Sequence, residues 1–381
     1  IGSNAGRENT DGNDNVYVGY AAGYGLDGEG AANNTAVGNQ ALRYAKGNDN
    51  IGIGHDAGRH ATGSQNIFVG AQAGYGGNST APYSSGNSNV AMGYQALRSF
   101  TTGHQNVAIG FEAGEDITTG YYNTLLGYEA GENLTTGASN VFMGYEAGSG
   151  KIANIGAIAI GYRAGLPSAG SYDVFIGYEA GAQTKGGTSI GIGRSAGRGS
   201  NGVTEYGGTS GSANTSVGYY AGTYNLGSHN TKIGKEAGYY ATGSYNTFMG
   251  SQAGKGGQTS APYSSGQHNT ALGANALAGF TTGQYNTTLG KDAGKAITSA
   301  NYNTFVGAWA GDAVTSAGYN TVLGFQAFSD ATTDSTHTIA IGYQAGKAIT
   351  SGDGNIMIGA SAGNTTTDVD KAVIIGQNAG Q

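Results

Sequence analysis

The chain has 381 residues, 74 of them glycine and only 3 proline, with no cysteine, 11% charged residues and a formal net charge of −7. That much glycine without proline or a three-residue period excludes collagen, and its interleaving with aliphatic residues and 26 tyrosines at fixed places argues against disorder. The missing cysteines exclude a disulfide scaffold and a thiolate metal site. The thinly spread negative charge argues against nucleic acid, and no apolar run nears the ~20 residues needed for membrane insertion.

From the N-terminus, Ile1-Gly2-Ser3-Asn4-Ala5-Gly6 already reads as the second half of a repeat, so the chain is expected to start inside an array. The full frame is Asn123-Thr124-Leu125-Leu126-Gly127-Tyr128-Glu129-Ala130-Gly131, and its glycine recurs 22 times between Gly2 and Gly376, mostly at steps of 16 or 17 residues. Three steps are longer: Gly70 to Gly93, Gly193 to Gly218 and Gly250 to Gly273.

Each unit is predicted to carry a short strand just before the glycine, as at Val16-Tyr17-Val18, Ile67-Phe68-Val69, Val174-Phe175-Ile176 and Val373-Ile374-Ile375. A corner at Ala-Gly follows, then a turn such as Thr118-Thr119-Gly120. Alanine-rich pieces such as Gln40-Ala41-Leu42-Arg43 predict one helical turn at most.

The pattern is that of an all-β, parallel β-solenoid, a β-roll of about 22 short coils; at about 4.8 Å per coil it would form a rod of roughly 100 Å. Within a unit, Leu126 and Ala130 are expected to fill the interior. Asn123 is expected to hold a turn in an amide ladder, with Gly127 at the corner.

A longer period lies on top of the short one. Gly38 to Gly144 recur 180 residues later as Gly218 to Gly324, and Ala81-Pro82-Tyr83-Ser84-Ser85-Gly86 returns as Ala261-Pro262-Tyr263-Ser264-Ser265-Gly266. The expectation is one elongated repeat domain over residues 1–381, built by a block duplication, about 30–209 and 210–381.

So thin a roll buries little apolar surface against an ordering cost of about 1–2 kcal/mol per residue. The aromatic and acid residues after the glycine, Tyr94, Phe111, Glu112, Tyr128, Glu129, Tyr145 and Glu146, are therefore expected to form a stripe between chains.

Asn140-Val141-Phe142-Met143-Gly144-Tyr145-Glu146-Ala147-Gly148 and Asn34-Thr35-Ala36-Val37-Gly38-Asn39-Gln40-Ala41-Leu42 resemble the head repeats of trimeric autotransporter adhesins and the similar repeats of bacteriophage tail fibres. The resemblance covers essentially the whole chain. It implies a left-handed parallel β-roll assembled as an intertwined or packed homotrimer. The units here are longer than the adhesin repeat and carry Thr-Thr-Gly turns, as in the phage-fibre version.

No constellation for chemistry converges. Gly52-Ile53-Gly54-His55-Asp56-Ala57-Gly58 has neither the spacing nor the following helix of a phosphate loop. The histidines at 55, 60, 104, 229, 268 and 337 lie far apart, and Asp11-Gly12-Asn13-Asp14-Asn15 reads as a solvated turn. Neither a metal site nor a cofactor is expected. The periodic row Glu112, Glu129, Glu146 reads as a stripe rather than a catalytic pair. A Thr column, Thr124 and Thr215 to Thr321, invites an ice-binding reading, but Val and Ile interrupt it.

Binding is expected at the insertions that interrupt the array, 75–88, 198–213 and 255–268. Candidate residues are Tyr75, Pro82, Tyr83, Lys255, Pro262 and Tyr263, whose aromatic faces suit a sugar or a protein. The functional expectation is a non-enzymatic, extracellular fibre shaft or adhesin on a virion or cell surface, attaching to a host glycan or protein. The alternative is a self-assembling filament or sheath protein, with end-to-end stacking of copies and no receptor site.

Overall fold

The computed structural model describes residues 1–25, 30–77, 83–150, 153–167, 171–184, 187–199, 211–224, 226–257, 263–331 and 335–380. They fall into two compact units, Ile1–Ala182 and Gln183–Gln381. Both are parallel β-solenoids, and the described residues contain no helix.

The first unit holds ten strands of three residues each, β1 (Val16–Val18) to β10 (Val174–Ile176). The second holds eleven, β11 (Ile190–Ile192) to β21 (Val373–Ile375). Within each unit every strand pairs with the next in the same register, so that middle faces middle, as at Leu125↔Phe142 and Phe305↔Val322. The longer steps are absorbed outside the ladder: Ile67, Phe68 and Val69 pair with Val90, Ala91 and Met92 without slippage.

A three-residue strand has one side chain on one face and two on the other. The middle residue points inward and is buried in every strand except β1 and β21, where Tyr17 and Ile374 are half-buried. This corrects the expected interior. Leu126 is 41% exposed, and its neighbour Leu125 takes the place in the core. The aliphatic residue before each glycine lies on the outer face, because period-2 alternation puts it on the side opposite the middle residue. The motif alanine is buried as expected, at Ala41, Ala57, Ala96, Ala130 and Ala147.

Core volume is traded inside each coil. Where the strand middle is Phe142, the residue after the motif alanine is Gly148, and a Cβ there would come within 2.5 Å of the ring. Where the middle is Ala91 or Ala271, that later position is Leu97 or Leu277, fully buried. In these coils a large group at one position or the other keeps the interior close-packed.

The asparagine ladder forms as expected. Oδ1 of Asn106 accepts from the backbone N–H of Asn123 at 3.0 Å, and Oδ1 of Asn123 accepts from that of Asn140 at 3.1 Å. Nδ2 of Asn123 donates to the Gly137 carbonyl at 2.8 Å. The side chains are buried, so each coil's turn is tied to its neighbours by charge-free hydrogen bonds. At the corner Gly127 has φ +138°, and a Cβ would sit 2.5 Å from the Gly144 carbonyl oxygen. Only glycine allows the coils to stack this closely. The residue two after it adopts φ near +50°, as at Glu129 and Glu146.

Candidate functional site

The outer strand face comes first. In the first unit Val16, Val18, Ile51, Ile53, Met92 and Leu126 are exposed along it; in the second, Ile192, Met249, Leu272, Leu289, Leu323 and Ile375 are. The first strand residue is threonine in seven successive strands of the second unit, from Thr215 to Thr321, each sharing the outer face with an aliphatic third residue. The Thr column is therefore unbroken over β12 (Thr215–Val217) to β18 (Thr321–Leu323), while Val141, Ile158, Val174 and Ile190 interrupt it between Thr124 and Thr215, as expected.

Aromatic rings flank this face differently in the two units. In the first, Tyr94, Phe111, Tyr128, Tyr145, Tyr162 and Tyr178 stack in a row after the motif glycine, with centroids 4.9–5.2 Å apart. Their edges are exposed. Hydrogen bonding to Glu129 pushes the Tyr128 phenol up to about 12, and Glu146 raises Tyr145 likewise.

In the second unit the rings precede the ladder asparagine. His229, Tyr245, His268, Tyr285, Tyr302, Tyr319 and His337 form one continuous stack at 4.9–5.1 Å. Sequence reasoning missed this row. Its signal is an aromatic residue or histidine directly before Asn at six successive steps, with His337 before Thr338 at the seventh.

The acid row is uneven. Glu146 accepts from Arg163 Nε at 2.7 Å, and that bond holds its carboxyl below the usual range. Burial, then Glu115 and Glu129, raise Glu112. Carboxylate oxygens of Glu112, Glu115 and Glu132 lie within 4.8 Å of one another, the one grouping among the described residues with the spacing of a cation site. Arg98 already pairs with Glu115 at 3.0 Å.

At the insertions, Pro82 and Pro262 lie outside the described residues, as does most of the insertion at 198–213. Tyr83 stacks on Tyr44 at 5.1 Å and on His60 at 5.6 Å; Tyr75 meets the His60 edge at 4.8 Å. In the second unit, Tyr263 packs on Tyr224 at 4.8 Å and on Tyr240 at 5.8 Å, while Lys255 Nζ is 2.9 Å from Glu236. The candidate residues thus join aromatic clusters supplied by the coils before them.

Two polar groups were not anticipated. His60 is buried with no hydrogen-bond partner for Nδ1, and burial, then Arg59, lower its pKa. Lys232 is the middle residue of β13 (Thr231–Ile233), fully buried, with Nζ donating to the Ala241 carbonyl at 2.9 Å. Burial pulls its ammonium down to about 7.

The chain matches no protein-family profile, no curated protein and no solved structure. Among the described residues no helix is long and apolar enough to cross a membrane.

Proposed function

We propose that this chain is a structural shaft, a segment of an extracellular fibre or adhesin on a virion or cell surface, in which copies pack side by side through the outer strand face as a homotrimer. The observation that carries the reading is that face itself. The ten strands of the first unit each turn two side chains outward, and most are Val, Ile, Leu or Met. Soluble single chains rarely leave so long an apolar stripe uncovered. A stable interface needs roughly 20–30 residues a side, and one unit nearly supplies them.

Other copies of the same chain fit best because the stripe repeats at the coil step. Two such faces meet with every coil in the same setting, so one good contact is repeated along the interface. The likeness of the motif to adhesin-head and tail-fibre repeats favours three copies over two. In this arrangement the aromatic and acid row beside the face lies at the rim of the contact, and attachment is left to the insertions.

Sedimentation equilibrium and electron microscopy of the full chain test this. The expected result is a discrete particle of three copies. Replacing Leu126, Leu289 and Leu323 together with lysine should return it to single chains, because three buried ammonium groups per copy would oppose packing. A wild-type chain that sediments as a folded monomer would sink the proposal. Open filaments of unlimited length would instead favour a self-assembling sheath.

A further inference from the structure

One column of the first unit stands apart from the acidic balance of the chain. Backbone hydrogen bonds set its register: Glu8 N–H donates to Tyr24 O, Gly25 N–H to Arg43 O, Tyr44 N–H to Arg59 O, His60 N–H to Tyr75 O and Gly76 N–H to Arg98 O, at 2.7–3.1 Å. Arg7, Tyr24, Arg43, Arg59, Tyr75 and Arg98 therefore follow one another at single-coil steps. Cations and rings interleave along it. Arg7 and Arg43 both lie over Tyr24, at 5.9 and 5.7 Å, Arg43 lies 4.9 Å over Tyr44, and Arg59 lies 5.8 Å over Tyr75.

The centre of the column is short of acceptors. Nε of Arg43, Nε of Arg59 and Nδ1 of His60 are buried without a hydrogen-bond partner. Among the described residues, the Arg43 side chain bonds Gln40 Oε1, and Arg59 reaches Tyr75 OH at a long 3.4 Å. Among the described residues, Asp56 forms an ion pair with Arg59 at 3.6 Å, beyond hydrogen-bond distance, so that its buried Oδ1 also lacks a hydrogen-bond partner; Glu8 takes Arg7 at 3.2 Å and the Tyr24 hydroxyl at 3.0 Å, and Glu115 takes Arg98. Arg43 and Arg59 follow one another at a one-coil step with unused Nε donors, and an oxyanion placed between them would take those donors up. Both stay partly open to solvent, with the Arg59 side chain 23% exposed.

The duplicated positions lack this arrangement. At 180 residues further on, Arg43, Arg59 and His60 become Thr223, Tyr239 and Tyr240, and Lys255, in place of Tyr75, is paired with Glu236. The same coil geometry therefore builds a cationic cluster in one unit and a tyrosine cluster in the other.

We propose that the column from Arg7 to Arg98 is a docking row for an acidic polysaccharide, with a carboxylate or sulfate group held between Arg43 and Arg59 beside His60. A linear polymer suits it better than a small ion, because cations recur along the solenoid axis with aromatic rings between them. The proposal rests on the attachment reading above and gives it a substrate class.

The test is binding of the full chain to heparin, polygalacturonate, neutral dextran and polyglutamate at low and moderate salt, with sedimentation in the same buffers. The informative variant is Arg43→Thr/Arg59→Tyr/His60→Tyr, which installs residues that the second unit already accommodates; an unchanged melting curve confirms its fold. We expect binding to heparin or polygalacturonate, or both, that weakens with salt, none to dextran, and about a tenfold or greater loss in the variant. Retention of sulfated ligand alone assigns the row to sulfate, and retention of carboxylated ligand alone assigns it to carboxylate. Equal binding of dextran, an unaffected variant, or a preference for polyglutamate would overturn the proposal, the last by pointing to an acidic protein. A monomer that still binds would sink the trimeric shaft and leave the row standing; a trimer that binds nothing would do the reverse.

Discussion

In the first unit Leu42 fills the room beside Gly52; in the second, 180 residues on, Gly222 stands where the leucine was and Lys232 where the glycine was. The atoms land in the same place. A Cβ on Gly58 would come 2.7 Å from Leu42 Cδ2, and a Cβ on the equivalent Gly238 would come 2.7 Å from Lys232 Cδ. One unit fills the space from the turn with hydrocarbon, the other from the strand with the stem of a lysine. The solenoid interior thus fixes the volume each coil must supply and leaves open which position supplies it and with what chemistry. The second solution places a nitrogen in the core, where Nζ donates to the Ala241 carbonyl.

The sharpest way to break this comparison is to supply the volume twice. Gly52→Lys, with Leu42 kept, places a second long side chain and an ammonium in a space already full. We expect a loss of about 4 kcal/mol or more, from overpacking and charge burial together. Adding Leu42→Gly should recover the packing share, leaving a chain whose first unit imitates the second. Chemical denaturation followed by tyrosine fluorescence would read both. If the single and double variants unfold at the same denaturant concentration, the two positions do not share one space.

A second test concerns the charge. The folded-state pKa of Lys232 is about 7 against an ordinary 10.5, so the fold favours the neutral amine. Below pH 7 the ammonium is present in both states, and its burial cost is felt in full. Between pH 7 and 10.5 the folded chain sheds the proton before the unfolded chain does, and stability should rise by up to about 1.4 kcal/mol per pH unit. Lys232→Met removes the titration while keeping the length of the side chain. At pH 6 it should stabilise the chain by about 3 kcal/mol, the desolvation gain less the cost of the unpaired Ala241 carbonyl. By pH 10 the gain should have vanished. A difference between wild type and variant that stays constant from pH 6 to pH 10 would show that Lys232 keeps its proton in the fold.

The repeat, the parallel strands, the asparagine ladder and the buried alanine were all legible in the sequence, because each depends on one residue type returning at one step. The inward side of the strand was not. In Asn123-Thr124-Leu125-Leu126 two aliphatic residues are adjacent, and the one next to the glycine looks like the core position because it is always aliphatic. Its regularity reflects the outer face, where every coil meets the same surroundings. The inner position varies from Gly191 and Ser216 to Lys232 and Phe248 because it trades volume with residues elsewhere in its own and neighbouring coils. The cluster around Arg43 and Arg59 was hidden for a related reason. It joins residues of several coils, and only the long-period comparison with Thr223 and Tyr239 makes the cations conspicuous.

The smallest expected effect concerns the ring rows. Phe111 stacks between Tyr94 and Tyr128 at 5.2 and 5.1 Å, and its counterpart in the second unit is Lys291, 4.9 Å over Trp309. Phe111→Lys transplants that residue into the first unit. Both ring contacts are lost, about 0.5–1.5 kcal/mol each before solvent exposure is considered, and a lysine between two rings recovers part of this as a cation–π contact. The isolated chain should therefore lose no more than about 1 kcal/mol. In the proposed homotrimer the same position lies at the rim of the packed faces, where the lysine would meet its copies from the other chains. A loss in melting temperature that grows as the protein is concentrated would place the row inside the contact between chains. An effect independent of concentration would assign the rings to the stability of the single solenoid, with the outer strand face alone making the contact.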